Sequence, residues 1–171
     1  MTYEQALAFW MAHVNYEQRI PAASDLELDR MRALMARLGN PHRRLRILHV
    51  AGSKGKGSTS AMLASVLRQA GYRTGLFTSP HLTRVEERFQ VDGRPIGAAE
   101  LTTLLGEVRD CLRLWQAGSS GRSWMGPPTF FELATAVGFL HFVRRRVDAA
   151  VLEVGLGGRL DSTNVCRPAL A

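Results

Sequence analysis

Two hydrophobic periods take turns along the chain. From Thr2 to Val14 the apolar residues Leu7, Trp10, Met11 and Val14 recur at helical spacing. The Ile20-Pro21 step breaks that pattern. Ser24 and Glu27 have the spacing of a capping box, and the helix they predict carries Leu28, Met31, Leu34, Met35 and Leu38 on one face. It should stop at Gly39, with Pro41 just beyond. Leu45 to Ala51 is a short β-rich run that ends in glycine. Ser58 to Ala70 reads as a helix stopped by Gly71, and Thr74 to Thr78 as a second buried strand. Arg88 to Ile96 contains Asp92-Gly93, the strongest short hairpin-turn signal. A long amphipathic helix should cover Ala98 to Ala117, followed by a loop from Gly118 to Pro128. Thr129 and Glu132 repeat the capping-box spacing ahead of a helix that runs to Arg146. Asp148 to Val154 is a third buried strand.

Near-continuously apolar strands separated by helices predict an α/β fold with a parallel sheet covered on its faces and right-handed crossovers. Ligands of such sheets bind beyond the carboxyl ends of the strands. The residues that matter should therefore follow Ala51, Phe77 and Leu152.

Chemistry does stand at those three places. After the first strand comes Gly52-Ser53-Lys54-Gly55-Lys56-Gly57-Ser58-Thr59, between a strand and a helix. Alternating glycines let backbone amides wrap an anion, and the helix start adds its positive dipole end. Lys56 can place a charge on the β- and γ-phosphates of a nucleotide, and the hydroxyl that follows can orient a magnesium ion. The spacing departs from the usual G-x-x-x-x-G-K-[ST], because Gly57 separates Lys56 from Ser58. After the second strand comes Thr78-Ser79-Pro80-His81-Leu82, whose simplest reading is a Ser-Pro turn with a solvated histidine. The third strand delivers Glu153 and then a glycine-rich stretch, Gly155 to Asn164. A carboxylate at a strand end opposite a phosphate loop is the Walker B arrangement, and a buried carboxylate without a partner would be costly. Together the three strand ends spell a magnesium–nucleotide site without naming a substrate.

Composition changes this picture little. A chain of 171 residues predicts one domain, or one and a small piece of another, with enough length to bury a core. Cys111 and Cys166 are far apart and read as reduced structural thiols, which fits a cytoplasmic protein. No apolar run approaches a membrane span, and the start MTYEQALAFW has no basic signal-peptide region. The formal charge is +7, with Arg43, Arg44 and Arg46 in one cluster and Arg144, Arg145 and Arg146 in another. Solvated surface at element ends is the simplest reading of both. Phosphorylated or polycarboxylate ligands come second. Nucleic acid comes a distant third, because no Arg/aromatic interleaving, zinc-finger spacing or RNA-recognition signature is present.

The segments GSKGKGST, TSPHL, TFFE and EVGLGGRLDSTN, in that order, resemble the folylpolyglutamate synthase and dihydrofolate synthase family of the Mur ligase superfamily. The resemblance implies a three-layer, parallel-sheet P-loop ATPase domain of Mur-ligase type. It implies ATP phosphates on Gly52 to Thr59, with Lys56 at the β/γ end, and magnesium on Ser79 and Glu153. It places the pterin against Phe131 and in hydrogen-bond reach of Asp161. Ser53 and Lys54 stand where the family often has Thr and Asn. The implied reaction joins L-glutamate to a dihydropteroate or folate carboxylate through an acyl phosphate, with Lys56 and Glu153 serving catalysis. Family members are usually more than twice this long. Residues 1–171 are thus expected to be an N-terminal ATP-binding domain cut before its last strands. A magnesium-binding His, a CO2-modified Lys and a C-terminal glutamate-ligase domain would lie beyond. The fragment alone is then expected to be inactive, and the full-length protein a cytoplasmic monomer with no membrane or nucleic-acid partner. A nucleotide-binding fragment without ligase activity, or another Mur-type amino-acid ligase, is the alternative.

Overall fold

The alternation of side chains along two central strands decides which groups reach which face of the sheet. The computed structural model describes residues 1–17, 27–118 and 126–171. Among them, helices α1 (Tyr3–Met11) and α2 (Leu28–Arg37) precede strand β1 (Ile47–Val50). Helix α3 (Lys56–Gln69), strand β2 (Thr74–Phe77) and the short strands β3 (Phe89–Val91) and β4 (Arg94–Pro95) follow. Helices α4 (Ala98–Gly118) and α5 (Phe130–Arg144) then lead to strand β5 (Ala149–Glu153).

The sheet order is β1-β5-β2-β3-β4. β5 pairs in parallel with β1 on one side and β2 on the other, and the β3–β4 hairpin adds antiparallel to β2. The parallel centre is as the pattern predicted. The hairpin was legible through Asp92-Gly93, but its attachment to the β2 edge was not. Both turn residues have positive φ, 53° and 77°, which is what a tight hairpin of this twist requires. On the other edge, Leu170 bridges Leu48 in parallel.

α3 covers one face of the sheet and α5 the other, giving three layers. The side chains of Phe77, Ala150 and Leu152, and the bare Cα of Gly75, belong to the α5 face. A methyl at Gly75 would come within 2.8 Å of the Phe142 ring, so only glycine lets helix and strand approach this closely. By alternation, Leu76, Val151 and Glu153 point to the α3 face. Beyond α5 lie α1, α2 and α4, and the core fills the space between these helices and the sheet. Trp10 stacks on Phe130 with ring centroids 4.6 Å apart, and its indole N–H donates to the Phe130 carbonyl at 2.9 Å. Thr129 and Glu132 form the expected capping box on α5.

Several boundaries shift. α3 opens at Lys56, two residues earlier than its pattern suggested, so the loop lysine sits in the first helical turn. α2 starts at Leu28 with Glu27 as an N-cap that makes no side-chain bond; Ser24, its expected cap, lies outside the described residues, as does most of the Gly118 to Pro128 loop. α2 does end where expected, with Gly39 and Asn40 both in the left-handed region. Both arginine triplets are exposed at element ends. Cys111 and Cys166 are free thiols, and burial pushes Cys166 up to about 11. No helix among the described residues is long and apolar enough to cross a membrane.

Candidate active site

The loop between β1 and α3 is built to present backbone amides. Gly55 is the N-cap of α3 in the left-handed conformation (φ 75°), and no side chain caps the helix. The amides of its first turn are left for solvent or a ligand, with the helix dipole behind them. Gly52, Ser53, Lys54, Gly55, Ser58 and Thr59 are exposed, and Lys56 and Gly57 half-buried.

Glu153 faces this loop. It ends β5 on the α3 face and is 5% exposed. Its Oε2 accepts the Ser79 amide at 3.1 Å. A β-carbon built at Gly57 would lie 3.5 Å from both carboxylate oxygens. A methyl would fit there at ordinary van der Waals distance, but the glycine that breaks the usual loop spacing leaves the carboxylate uncovered toward the first turn of α3. The structure therefore brings together the phosphate loop, Glu153 and Ser79 from three separate strand ends. The Ser79 contact runs through its backbone N–H.

A cavity of about 380 Å³ adjoins them, lined by Ser79, Pro80, Phe131, Gly155 and Asp161 among others. Phe131 and Asp161, 30 residues apart in sequence, thus share one wall system. The Phe131 ring lies so close over Gly155 that a methyl there would fall 2.4 Å from Cζ. Asp161 is 4% exposed and caps the turn Ser162–Val165. Its Oδ1 accepts the Thr163 amide at 3.0 Å and the Thr163 hydroxyl, and its Oδ2 accepts the Leu156 amide at 2.8 Å. Burial pushes its pKa up against these bonds. His49 Nε2 in turn donates to Thr163 Oγ1 at 2.7 Å, tying the turn to β1. Asp161 thus fixes the glycine-rich loop, and only capacity left over by those bonds faces the cavity.

Two ion pairs that the sequence did not disclose shape the same cavity. Arg30 on α2 donates Nε to Glu132 at 2.8 Å, and both residues line the wall. Arg88, 1% exposed, donates both terminal nitrogens to Glu17 at 2.7 Å and its Nε to His81 Nδ1 at 2.9 Å. His81 is therefore no solvated turn residue. It is an acceptor half-buried behind the Ser79-Pro80 step, held by a guanidinium that also anchors the cavity wall at Glu17. These partners are 71 and 102 residues apart, and no local spacing marks them.

A strand, an amide-lined glycine loop, a helix and a facing strand-end carboxylate define a phosphate-loop α/β protein. No protein-family model matches the chain. It is 45% identical over 144 residues to the dihydrofolate synthase/folylpolyglutamate synthase of Bacillus subtilis, an alignment covering 84% of this chain and 32% of that protein. The apo form of L. casei FPGS superposes with a TM-score of 0.85 at 38% identity, over 98% of this chain and 38% of that one. An FPGS complex with AMPPCP and folate gives 0.84 at 38% identity, with the same coverage. The chain belongs to the folylpolyglutamate synthase/dihydrofolate synthase family, with a fold of Mur-ligase type. It spans about a third of the length of these relatives.

Proposed function

We propose that this chain is the ATP-binding domain of a ligase that joins L-glutamate to the carboxylate of a folate or dihydropteroate. Ser79 carries the reading: its amide is bonded to Glu153 beside the phosphate loop, and its residue also lines the Phe131–Asp161 cavity. A substrate seated in that cavity can direct a carboxylate toward a nucleotide on the loop. The relatives bear the name of the glutamate-adding enzymes, and one solved relative holds AMPPCP and folate together.

The roles follow from placement. Amides of the loop and the first helical turn, Gly52 to Thr59, bind the phosphates, and Lys56 neutralises charge at the β/γ end. Magnesium fits the donors present. Glu153 keeps Oε1 free of hydrogen bonds among the described residues, and Ser79, whose amide bonds the same carboxylate, carries a hydroxyl. No group of three His, Cys, Asp or Glu forms an all-protein cage among the described residues, which suits an ion that takes one or two carboxylates plus phosphate oxygens and water. Bound there, it would neutralise charge on the transferring phosphoryl group. Phe131 offers an aromatic face to a pterin, and Asp161 a hydrogen-bonding edge. The γ-phosphoryl passes to the substrate carboxylate, giving an acyl phosphate and ADP. The glutamate amine then displaces phosphate to form the amide. Loop and cavity contribute mainly positioning and electrostatics to the first step. The glutamate-ligase domain lies outside these residues, and ligation is expected only from the longer polypeptide.

The reading is tested by assaying ATP-, magnesium- and glutamate-dependent amide formation in a polypeptide of the relatives' full length that carries this chain. Phe131→Ala should raise the KM for dihydropteroate or folate and leave that for ATP unchanged. Equal effects on both substrates, or none, would remove the cavity from the reading.

A further inference from the structure

Behind the Asp161 wall of the cavity, a chain of buried hydrogen bonds runs back to β1. Asp161 lines the cavity; Thr163 and His49 do not. Thr163 is fully buried and His49 is 9% exposed. The direction of the chain follows from its members. A carboxylate can only accept, so the Thr163 hydroxyl gives its one proton to Asp161 Oδ1. His49 Nε2, 2.7 Å from the same hydroxyl oxygen, must then be an N–H donor. Every link points toward Asp161.

That direction decides what Asp161 can recognise. A carboxylate has about four acceptor positions. Oδ1 takes the Thr163 amide and hydroxyl, and Oδ2 takes the Leu156 amide. One position stays open, on Oδ2. Burial works against the charge, and these three donors work for it. A ligand that meets Asp161 therefore has to bring a donor.

A second chain fixes the geometry of that meeting. Thr135 Oγ1 donates to the Phe131 carbonyl at 2.8 Å. The proton between Thr135 Oγ1 and Ser162 Oγ, 2.6 Å apart, therefore comes from Ser162. Both hydroxyl residues are buried. The residue after Asp161 is thus tied to the backbone of Phe131, and the aromatic face and the open carboxylate position share one frame. A flat heterocycle stacked on Phe131 meets Asp161 with an edge. On a pterin the donor edge is the 2-amino group with N3–H, and the 4-oxo group accepts.

We propose that His49 and Thr163 are positioning residues for substrate recognition: through Thr163, His49 holds Asp161 with one open acceptor position, which selects the amino edge of the pterin. The proposal rests on the ligase reading of the cavity.

Calorimetry on the chain tests it with folate and with a 2-desamino analogue of folate, which keeps the ring and loses the amino donor. Wild type should bind folate at least about tenfold more tightly than the analogue. Thr163→Val keeps the shape without the hydroxyl. It should bind folate at least about tenfold more weakly and bring the two ligands within about threefold of each other. Thr163→Ser should restore the preference. His49→Leu should act like Thr163→Val, and His49→Gln, whose amide N–H reaches the place of Nε2, should act like wild type. A role in folding alone would weaken both ligands equally, so the ratio is the deciding quantity. A urea melt identifies the variants that fold, and either pair suffices. Wild type that binds no folate overturns the ligase reading of the cavity and this proposal with it. Wild type that binds folate without preferring it to the analogue, or a folded Thr163→Val or His49→Leu that keeps the wild-type ratio, overturns the proposal alone.

Discussion

Gly57→Ala separates stability from metal-dependent binding at one position. The new methyl would sit 3.5 Å from both Glu153 carboxylate oxygens, an ordinary van der Waals distance, so nothing need move. Gly57 is the second residue of α3 and has no positive φ, so alanine suits its backbone. Helix propensity favours alanine over glycine by up to about 1 kcal/mol, less near a helix end. The fold should therefore be as stable as before or slightly more so. Binding should move the other way. The methyl would fill the space through which Glu153 faces the loop and would strip water from the carboxylate. Losing one interaction with a charged group costs about 1.5–3 kcal/mol, or roughly ten- to a hundredfold in affinity. Magnesium–ATP binding should fall by that factor, while ATP without magnesium should bind nearly as before. Calorimetry with and without the metal, beside a urea melt, reads all three quantities. Unchanged magnesium–ATP affinity in a fully folded variant would refute the idea that Glu153 and the loop act on one ligand.

Other expectations are independent of that one. Gly155→Ala places a methyl 2.4 Å from Phe131 Cζ, so the ring must swing into the cavity; folate or dihydropteroate binding should weaken while ATP binding holds, as paired titrations would show. Arg88→Met removes the partner of Glu17 and the donor to His81. Glu17 keeps about a quarter of its side chain exposed, so the loss should be about 2–3 kcal/mol in denaturant unfolding, below that of a fully buried pair; a loss under 0.5 kcal/mol would show the bridge to be dispensable. Burial holds His42, His49 and His141 below the usual histidine pKa of 6.5. The folded state therefore binds these protons more weakly than the unfolded chain. The stability is fully present above pH 6.5 and is lost as pH falls through the lower folded values. Unfolding free energy that stays flat from pH 7 to pH 5 would contradict those burials.

Most of what local spacing can encode was legible. The strand–glycine–helix order, the Thr129–Glu132 capping box, the Asp92-Gly93 turn and the apolar run ending in Glu153 all depend on neighbours within a few residues. The cavity walls do not. Arg88 meets Glu17 across 71 residues, and Arg30 meets Glu132 across 102. Each is a lone charge in sequence, and only tertiary packing makes it half of a buried pair. His81 was misread for the same reason: its partner is a buried arginine on the far side of a turn. The resemblance offers Asp161 as a pterin-binding group; what the structure shows is that its local bonds to Leu156 and Thr163 make it the brace of its own loop. Gly57 looked like a departure from the phosphate-loop spacing until Glu153 was seen opposite it.

Titrating magnesium–ATP into the wild-type chain, Lys56→Ala and Glu153→Ala tests the central claim most directly. Both variants should bind at least about tenfold more weakly than wild type when magnesium is present. Without the metal, only Lys56→Ala should differ. Wild-type affinity in both variants would contradict the assignment of the β1–α3 loop and the β5 carboxylate to one nucleotide site.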